Sequence, residues 1–76
     1  MSETVLDLRG LKCPLPVLKT RKAIRPMPAG SRVWVETTDP LAVVDIPNYC
    51  REDGHKLVQH EQGAGCQRFL IERGGN

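Results

Sequence analysis

The segment Val5-Leu6-Asp7-Leu8-Arg9-Gly10-Leu11-Lys12-Cys13-Pro14-Leu15-Pro16 contains the first change of secondary structure in the chain. Apolar and charged residues alternate from Val5 to Arg9, which is the period of a half-buried strand. Gly10 marks a turn. An amphipathic helix is predicted from Pro14 to about Pro26, because prolines are tolerated in the first helical turn. The segment therefore predicts a strand that leads through a short loop into a helix, with Cys13 at the junction.

A second strand and a second helix are predicted in the middle of the chain. Residues Arg32–Thr38 are dense in valine, tryptophan and threonine and favour a strand. Asp39-Pro40 is typical of a helix start, with a capping carboxylate before a proline, and this helix is expected to reach about Asp53. Pro47 predicts a kink, or a restart with Asp45 as a second cap. Both aspartates are therefore interpreted as helix caps rather than general acids.

The last third of the chain predicts a hairpin. Gly54 fits the cap that ends the second helix, and strands are predicted at Lys56–Glu61 and Gln67–Arg73. The glycine-rich residues 62–65 would join these strands, and residues 74–76 are expected to fray. The resulting βαβαββ order predicts an α/β (α+β) protein, a two-layer sandwich in which two helices cover one face of a four-stranded mixed sheet.

Length and composition restrict the class of protein. The 76 residues, of which 39% are hydrophobic and 26% charged, predict a single domain over residues 1–76 with a thin core. The longest apolar run, Leu41–Val44, is far shorter than the roughly 20 residues that cross a bilayer, and the acidic N-terminus does not resemble a signal peptide. Three widely spaced cysteines do not fit a secreted disulfide framework. We therefore expect a soluble cytoplasmic protein without a membrane segment.

Cys13 is the candidate reactive residue, because its predicted position is the N-cap of the first helix. The helix dipole, free amide groups, Arg9 and Lys12 would all lower the pKa of its thiol and favour a nucleophilic thiolate. Pro14 and Pro16 each remove one amide donor, so only moderate activation is expected, but they hold the sulfur in one exposed position. The alternative is that Cys13 is a small apolar residue packed beneath the helix.

The segment Asp7–Lys19 resembles the TusA-like (SirA-like) sulfur-carrier family, whose hallmark is Cys-Pro-x-Pro at the start of the first helix. Downstream, Thr38-Asp39-Pro40 and Asp45-Ile46-Pro47 resemble the second-helix region of the family, together with Cys50, Gly54 and His55. The resemblance covers nearly the whole chain, including its length and the order of its elements.

This resemblance implies a sulfurtransferase that acts as a persulfide carrier. Cys13 would accept a sulfane sulfur from a cysteine desulfurase or a rhodanese and relay it to an acceptor protein, by a reaction like thiol–disulfide exchange. No cofactor is implied. Relatives are associated with tRNA thiolation, molybdenum cofactor maturation and sulfur oxidation, and the sequence does not choose among these pathways. A carrier of this kind is expected to be a monomer.

The first predicted helix carries a cluster of basic residues, because bases far outnumber acids in the first half of the chain. The cluster consists of Lys19, Arg21, Lys22 and Arg25. These residues wind around the helix, so only part of the set can share one face, and the simplest interpretation is a solvated surface. The functional interpretation is a docking surface that attracts acidic partner proteins.

The remaining cysteines and histidines predict no second site. Cys50 falls on a helical core stripe and is expected to be buried, whereas Cys66 is either strand filler or a thiol that could resolve a persulfide. His55 and His60 have zinc-type spacing, but no Cys-x2-Cys pair accompanies them, so no metal site is expected. Neither histidine is placed near Cys13, so no catalytic base is evident.

Two other functions remain open. A basic nucleic-acid-binding or regulatory module would use the same cationic residues. However, Trp34, Tyr49 and Phe69 are not interleaved with the basic run, so direct nucleic-acid binding is not expected. A thiol redox protein would instead form a reversible disulfide.

Overall fold

Four strands and two helices follow one another in the predicted βαβαββ order. The computed structural model describes residues 4–75. The elements are β1 Thr4–Asp7, α1 Leu15–Ile24, β2 Arg32–Thr37, α2 Ala42–Asp53, β3 Lys56–Gly63 and β4 Cys66–Glu72. The predicted α+β class is confirmed, and the differences lie at the ends of the elements.

The four strands form one mixed sheet with the order β1-β2-β4-β3. β1 and β2 are parallel, whereas β2 pairs antiparallel with β4 and β4 pairs antiparallel with β3. α1 is the crossover between the two parallel strands, and α2 carries the chain from β2 to the far edge of the sheet. The parallel pair is important for the site because the carboxyl ends of parallel neighbours lie at the same edge of a sheet.

The core lies between the sheet and both helices. The inward residues of the two central strands, Val33 and Val35 on β2 and Phe69 and Ile71 on β4, are at most 1% exposed. They form one cluster with side chains from both helices, which are Ile24, Ala42, Ile46, Tyr49 and Cys50. Because side chains of both helices belong to this one cluster, the helices cover one face of the sheet, as predicted. The expected burial of Cys50 is also confirmed.

α2 corrects the prediction at Pro47. The helix continues from Ala42 to Asp53 through this proline, so Asp45 lies in the first helical turn and is not the cap of a restarted helix. The prediction of Asp39 as the N-cap of this helix was wrong, because the N-cap is Leu41 and the helix begins at Ala42, two residues later than predicted. Pro40 and Leu41 form a turn before the helix, and within this turn Oδ1 of Asp39 accepts a hydrogen bond from the amide of Leu41 at 3.1 Å.

The hairpin and the tail also differ from the prediction. β3 extends to Gly63 and β4 begins at Cys66, so a two-residue turn replaces the predicted loop over residues 62–65. The pairing of β3 with β4 shifts register between Leu57 and Gln59. Gly74 is half-buried and its amide donates to Nδ1 of His55 at 3.0 Å, so this part of the predicted frayed tail is held in place. The prediction for residue 76 lies outside the described residues.

The outer face of the sheet, which the helices do not cover, carries a charged cluster around Arg68. Its guanidinium pairs with Glu36 at 3.1 Å and with Glu61 at 3.2 Å, and it lies 4.3 Å from the centre of the Trp34 ring. Within residues 4–75, no helix is long and apolar enough to cross a bilayer.

Candidate functional site

Cys13 lies in the loop between β1 and α1, and its side chain is exposed. The N-cap of α1 is Pro14, so Cys13 precedes the cap by one residue and the predicted N-cap position was wrong. Proline lacks an amide hydrogen, so it is tolerated at the start of a helix, where this hydrogen would have no helical partner. Pro16, in the first turn, is fully buried, and its carbonyl accepts a hydrogen bond from the Thr20 hydroxyl at 2.7 Å. The exposure of Cys13 also excludes the alternative of a thiol packed beneath the helix.

Two carboxylates face the Cys13 thiol. The sequence did not predict that either would lie close to this residue. The sulfur atom and one oxygen each of Asp39 and Asp45 all lie within 4.8 Å of one another. Asp39 follows β2 and Asp45 lies in the first turn of α2. These residues meet the β1–α1 loop because β1 and β2 are parallel neighbours and end at the same edge of the sheet.

Backbone contacts hold the loop against the end of β2. The amide of Leu8 donates to the carbonyl of Glu36 at 2.8 Å, which continues the parallel ladder beyond β1. The amide of Gly10 donates to the Thr38 hydroxyl at 2.9 Å. Gly10 has a φ of +86°, a conformation in which a residue with a side chain would be strained. The loop therefore presents Cys13 next to the residues that begin the second crossover.

The carboxylates of Asp39 and Asp45 favour the protonated form of the Cys13 thiol. A hydrogen bond from Cys13 to Asp45 raises the pKa of the thiol above its ordinary value, and desolvation and the negative charges of Asp45 and Asp39 act in the same direction. The sequence predicted a lowered pKa, and this direction was wrong. The predicted effect of Arg9 fails because its guanidinium forms a double contact with Asp7, at 2.8 and 2.9 Å, and holds the pKa of that carboxyl at about 2.

Two clefts meet at Cys13. The first, of about 450 Å³, is lined with Cys13 by Gly10, Leu11, Lys12, Thr38, Asp39, Pro40 and Leu41. The second, of about 220 Å³, is lined with Cys13 by Pro14, Val17, Asp45, Asn48, Tyr49 and Glu52. Leu41 in the first cleft is 55% exposed, and Leu15, just beyond Cys13, is 43% exposed. Exposed apolar side chains beside an accessible thiol are typical of a surface that contacts other proteins.

The basic residues of α1 do not act as one group. Lys19, Lys22 and Arg25 are exposed, whereas Arg21 is half-buried, with its Nε 3.7 Å from Asp53. Arg21, Lys22 and Arg25 line a cleft of about 370 Å³ in which Lys19 takes no part. The structure therefore brings three of the four predicted docking residues together.

The other cysteines and the histidines lie away from the clefts at Cys13. Burial raises the pKa of the Cys50 thiol to about 11, and Cys66 is partly exposed at the start of β4. His55 lines a separate cleft with arginines of α1, and the His60 ring stacks on Phe69 at 4.5 Å. The structure does not bring either histidine to Cys13.

The aromatic residues offer little surface for stacking bases. Tyr49 is 2% exposed and Phe69 is fully buried. The half-buried Trp34 is covered on one face of its ring by the Arg68 guanidinium. A nucleic-acid surface would need accessible rings next to cationic residues, so these positions disfavour that function.

Taken together, the fold and the site define a small α+β protein that presents one accessible thiol beside the carboxyl ends of two parallel strands. The family model described as "Sulfurtransferase TusA" matches residues 4–73, which is nearly the whole chain. The protein therefore belongs to the sulfurtransferase TusA family. Membership supports a general role as a sulfur carrier or sulfurtransferase that acts with sulfur donors and acceptors.

Proposed function

We propose that this protein carries sulfane sulfur as a persulfide on Cys13 between a donor protein and an acceptor protein. The observation that carries the proposal is the position of this thiol, exposed on a short loop where two clefts meet. Family membership supports sulfur transfer in general, and Cys13 is the accessible cysteine that the loop presents beside exposed apolar side chains.

Loading is a nucleophilic displacement at sulfur. The Cys13 thiolate attacks the outer sulfur of the donor persulfide, the donor S–S bond breaks, and its electron pair leaves with the donor thiolate as the new Cys13 S–S bond forms. No net oxidation occurs. The Cys13 proton must leave first, and an oxygen of the Asp45 carboxylate lies within 4.8 Å of the sulfur. Asp45 is thus the group of this chain placed to receive that proton or to pass it to a partner.

Unloading repeats the same displacement in the opposite sense. A nucleophile of the acceptor attacks the terminal sulfur of the Cys13 persulfide, and Cys13 leaves as a thiolate. The two carboxylates disfavour this anion, so a cationic group supplied by the partner would assist its departure. Docking would therefore be part of the reaction, which explains a carrier with little reactivity of its own.

The partners in this proposal are proteins that carry or receive persulfide sulfur. The donor is a cysteine desulfurase or a rhodanese, and the acceptor belongs to a sulfur-trafficking pathway such as tRNA thiolation, molybdenum cofactor maturation or sulfur oxidation. Lys22 and Arg25 line the cleft of about 370 Å³ beside α1, and Lys19 is exposed nearby in the sequence. These cationic side chains would attract acidic surfaces of the partners. The protein would act as a monomer in the cytoplasm, where thiols are kept reduced.

Intact-protein mass spectrometry tests this proposal. The protein is incubated with a cysteine desulfurase and cysteine, or with a rhodanese and its sulfur substrate, and is then digested with and without reductant. We expect a reductant-sensitive gain of one sulfur atom on the peptide that contains Cys13. Cys13→Ser should abolish the gain, whereas the control Cys66→Ser should retain it. Loading that survives Cys13→Ser, or failure of both donors and of small persulfides to load the wild type, would refute the proposal.

A further inference from the structure

The three side chains that meet at the β1–α1 loop also form a possible set of metal ligands. Cys13, Asp39 and Asp45 each offer one ligand atom, and these atoms lie within 4.8 Å of one another. Three ligands at zinc bonding distances of about 2.0–2.3 Å lie somewhat closer together than this. A small rotation of the exposed Cys13 or the half-buried Asp45 side chain would close the difference.

A second, independent observation is an unpartnered atom of Asp39. This residue is only 7% exposed, and its Oδ1 accepts the hydrogen bond from Leu41. Its Oδ2 is buried and has no hydrogen-bond partner among residues 4–75. Neither Asp39 nor Asp45 forms an ion pair within that range. A buried carboxylate normally has a partner, because removing an unpaired charge from water is costly.

We propose that Cys13, Asp39 and Asp45 form a binding site for one Zn²⁺ ion. A thiolate with two carboxylates suits this borderline-soft cation, whereas Mg²⁺ and Ca²⁺ prefer sites made only of oxygen. Binding exchanges one ion for one proton: the Cys13 S–H bond breaks, the proton goes to solvent, and the sulfur bonds to the metal. No electrons are transferred. Because the metal displaces a proton, its affinity increases with pH.

Zinc at this site would mask the thiol. A Cys13 sulfur bonded to the metal cannot attack a donor persulfide, so zinc and sulfane sulfur would exclude each other; this consequence alone rests on the proposed function. The ion would also neutralise the two carboxylates that surround the sulfur. Binding of the metal itself requires only the three side chains.

Competition with a chromophoric zinc chelator tests the site, using the full-length reduced protein in metal-free buffer. The wild type is expected to withdraw one Zn²⁺ per chain. Cys13→Ser, Asp39→Asn and Asp45→Asn should each weaken binding by about 10-fold or more, because even the loss of an outer-shell partner has an effect of that size. Glu52→Gln is the matched control, since Glu52 lines the cleft beside Asp45 but is not a member of the cluster.

Alkylation provides a second measurement. Zn²⁺ should protect Cys13 from iodoacetamide in the wild type while Cys66 still reacts, and the protection should disappear in Asp45→Asn. Circular dichroism tests whether each variant is folded. Asp45→Asn remains informative if Asp39→Asn, which alters the acceptor for the Leu41 amide, unfolds the chain. Failure of the wild type to compete with the chelator would overturn the proposal, as would binding that both aspartate variants leave unchanged. Neither measurement uses a sulfur donor, so its result is independent of the loading experiment.

Discussion

At the scale of single residues, the carboxylate of Asp45 favours the protonated form of the Cys13 thiol. The carboxylate accepts a hydrogen bond from the thiol and its charge opposes the thiolate, so the protonated form is favoured near neutral pH. Because the thiolate is the form that oxidants attack, a raised pKa makes an exposed thiol such as Cys13 less sensitive to oxidation. Reactivity then depends on what a partner brings to the loop.

Asp45→Asn should increase the rate at which iodoacetamide alkylates Cys13. The amide carries no charge, so the pKa of the thiol falls and the thiolate fraction at pH 7.5 rises. For the wild type, the rate should continue to increase with pH above the range of an ordinary cysteine, about 8.5. Mass spectrometry of the Cys13 peptide in the presence of a chelator measures both effects.

The control for this experiment is Glu52→Gln, which removes a carboxylate from the same cleft without touching the sulfur. Its alkylation rate should equal that of the wild type. An unchanged or slower rate in Asp45→Asn would show that the carboxylate does not restrain the thiol.

The sequence was sufficient to single out Cys13 as the candidate reactive cysteine but not to predict its surroundings. Cys13 could be singled out because it follows a strand and precedes a proline-rich helix start. Asp39 and Asp45 are distant in sequence from Cys13 and resemble ordinary helix caps, so no spacing rule relates them to its thiol. Their proximity depends on the parallel pairing of β1 with β2, which brings both crossovers to one edge. The contact between Arg9 and Asp7 was predictable from the sequence, because two opposite charges lie only two residues apart.

At the scale of elements, α2 shows how packing overrides a local preference. Pro47 lacks an amide hydrogen and leaves the carbonyl of Val43 without its helical partner. Val43 itself is 45% exposed, so this turn of the helix lies on the solvent side. The same helix buries Ile46, Tyr49 and Cys50, and this burial favours a continuous element. The local rule at proline could predict a break, but the sequence pattern alone does not give the strength of the opposing contacts.

Ile46→Ala should destabilise the protein by about 2–5 kcal/mol, because truncation of a fully buried side chain leaves a cavity between α2 and the sheet. Val44→Ala is the control on the same helix. Val44 is 55% exposed, and its truncation should change the free energy of unfolding by no more than about 0.5 kcal/mol. Urea denaturation measures both values. Equal effects of the two substitutions would contradict the assignment of the buried face of α2.

At the scale of the whole molecule, the segment after β4 forms hydrogen bonds with the loop before β2 and with the residue that follows the end of α2. The amide of Gly30 donates to the carbonyl of Arg73 at 2.9 Å, and the amide of Arg73 donates to Ser31 at 2.7 Å. The next residue, Gly74, donates to Nδ1 of His55 just beyond α2. Gly74 also lies so close to the Gly54 carbonyl that a side chain would clash. The prediction of fraying was wrong for Gly74, because its partners are distant in the sequence and no local pattern relates them to it.

Acidification should destabilise the fold through His55. Burial is the main cause that lowers the pKa of His55 in the folded protein, with Arg73 acting in the same direction and Asp53 opposing them. The unfolded chain therefore binds a proton more readily, so the free energy of unfolding should decrease as pH falls through about 6.5. Protonation of Nδ1 would also remove the acceptor for the Gly74 amide.

Urea denaturation between pH 8 and pH 5 measures this dependence. His55→Gln should flatten the curve in this range, whereas His60→Gln, which replaces an exposed histidine, should retain the loss of stability on acidification. A curve that His55→Gln leaves as steep as that of the wild type would assign the effect to other groups.

The class of fold was predictable because each element has its own pattern, whereas the order of the strands was not. Alternation identifies β3 and β4 and their turn, but it does not say which of the two lies beside β2. The structure places β4 in the centre, where Phe69, Leu70 and Ile71 are consecutive buried residues. β3, with mostly exposed residues, occupies the edge. Phe69 and Ile71 face the helices, whereas Leu70 lies on the outer face of the sheet and is still only 4% exposed.

The register shift in β3 bears on how the protein behaves in concentrated solution. An edge strand with regularly spaced unpaired amides and carbonyls is a template on which a second chain can add, and bulges and charged side chains oppose such addition. β3 is interrupted between Leu57 and Gln59 and carries charged residues at Lys56 and Glu61. The β3 border of the sheet is therefore an interrupted and charged ribbon, a form that opposes edge-to-edge polymerisation.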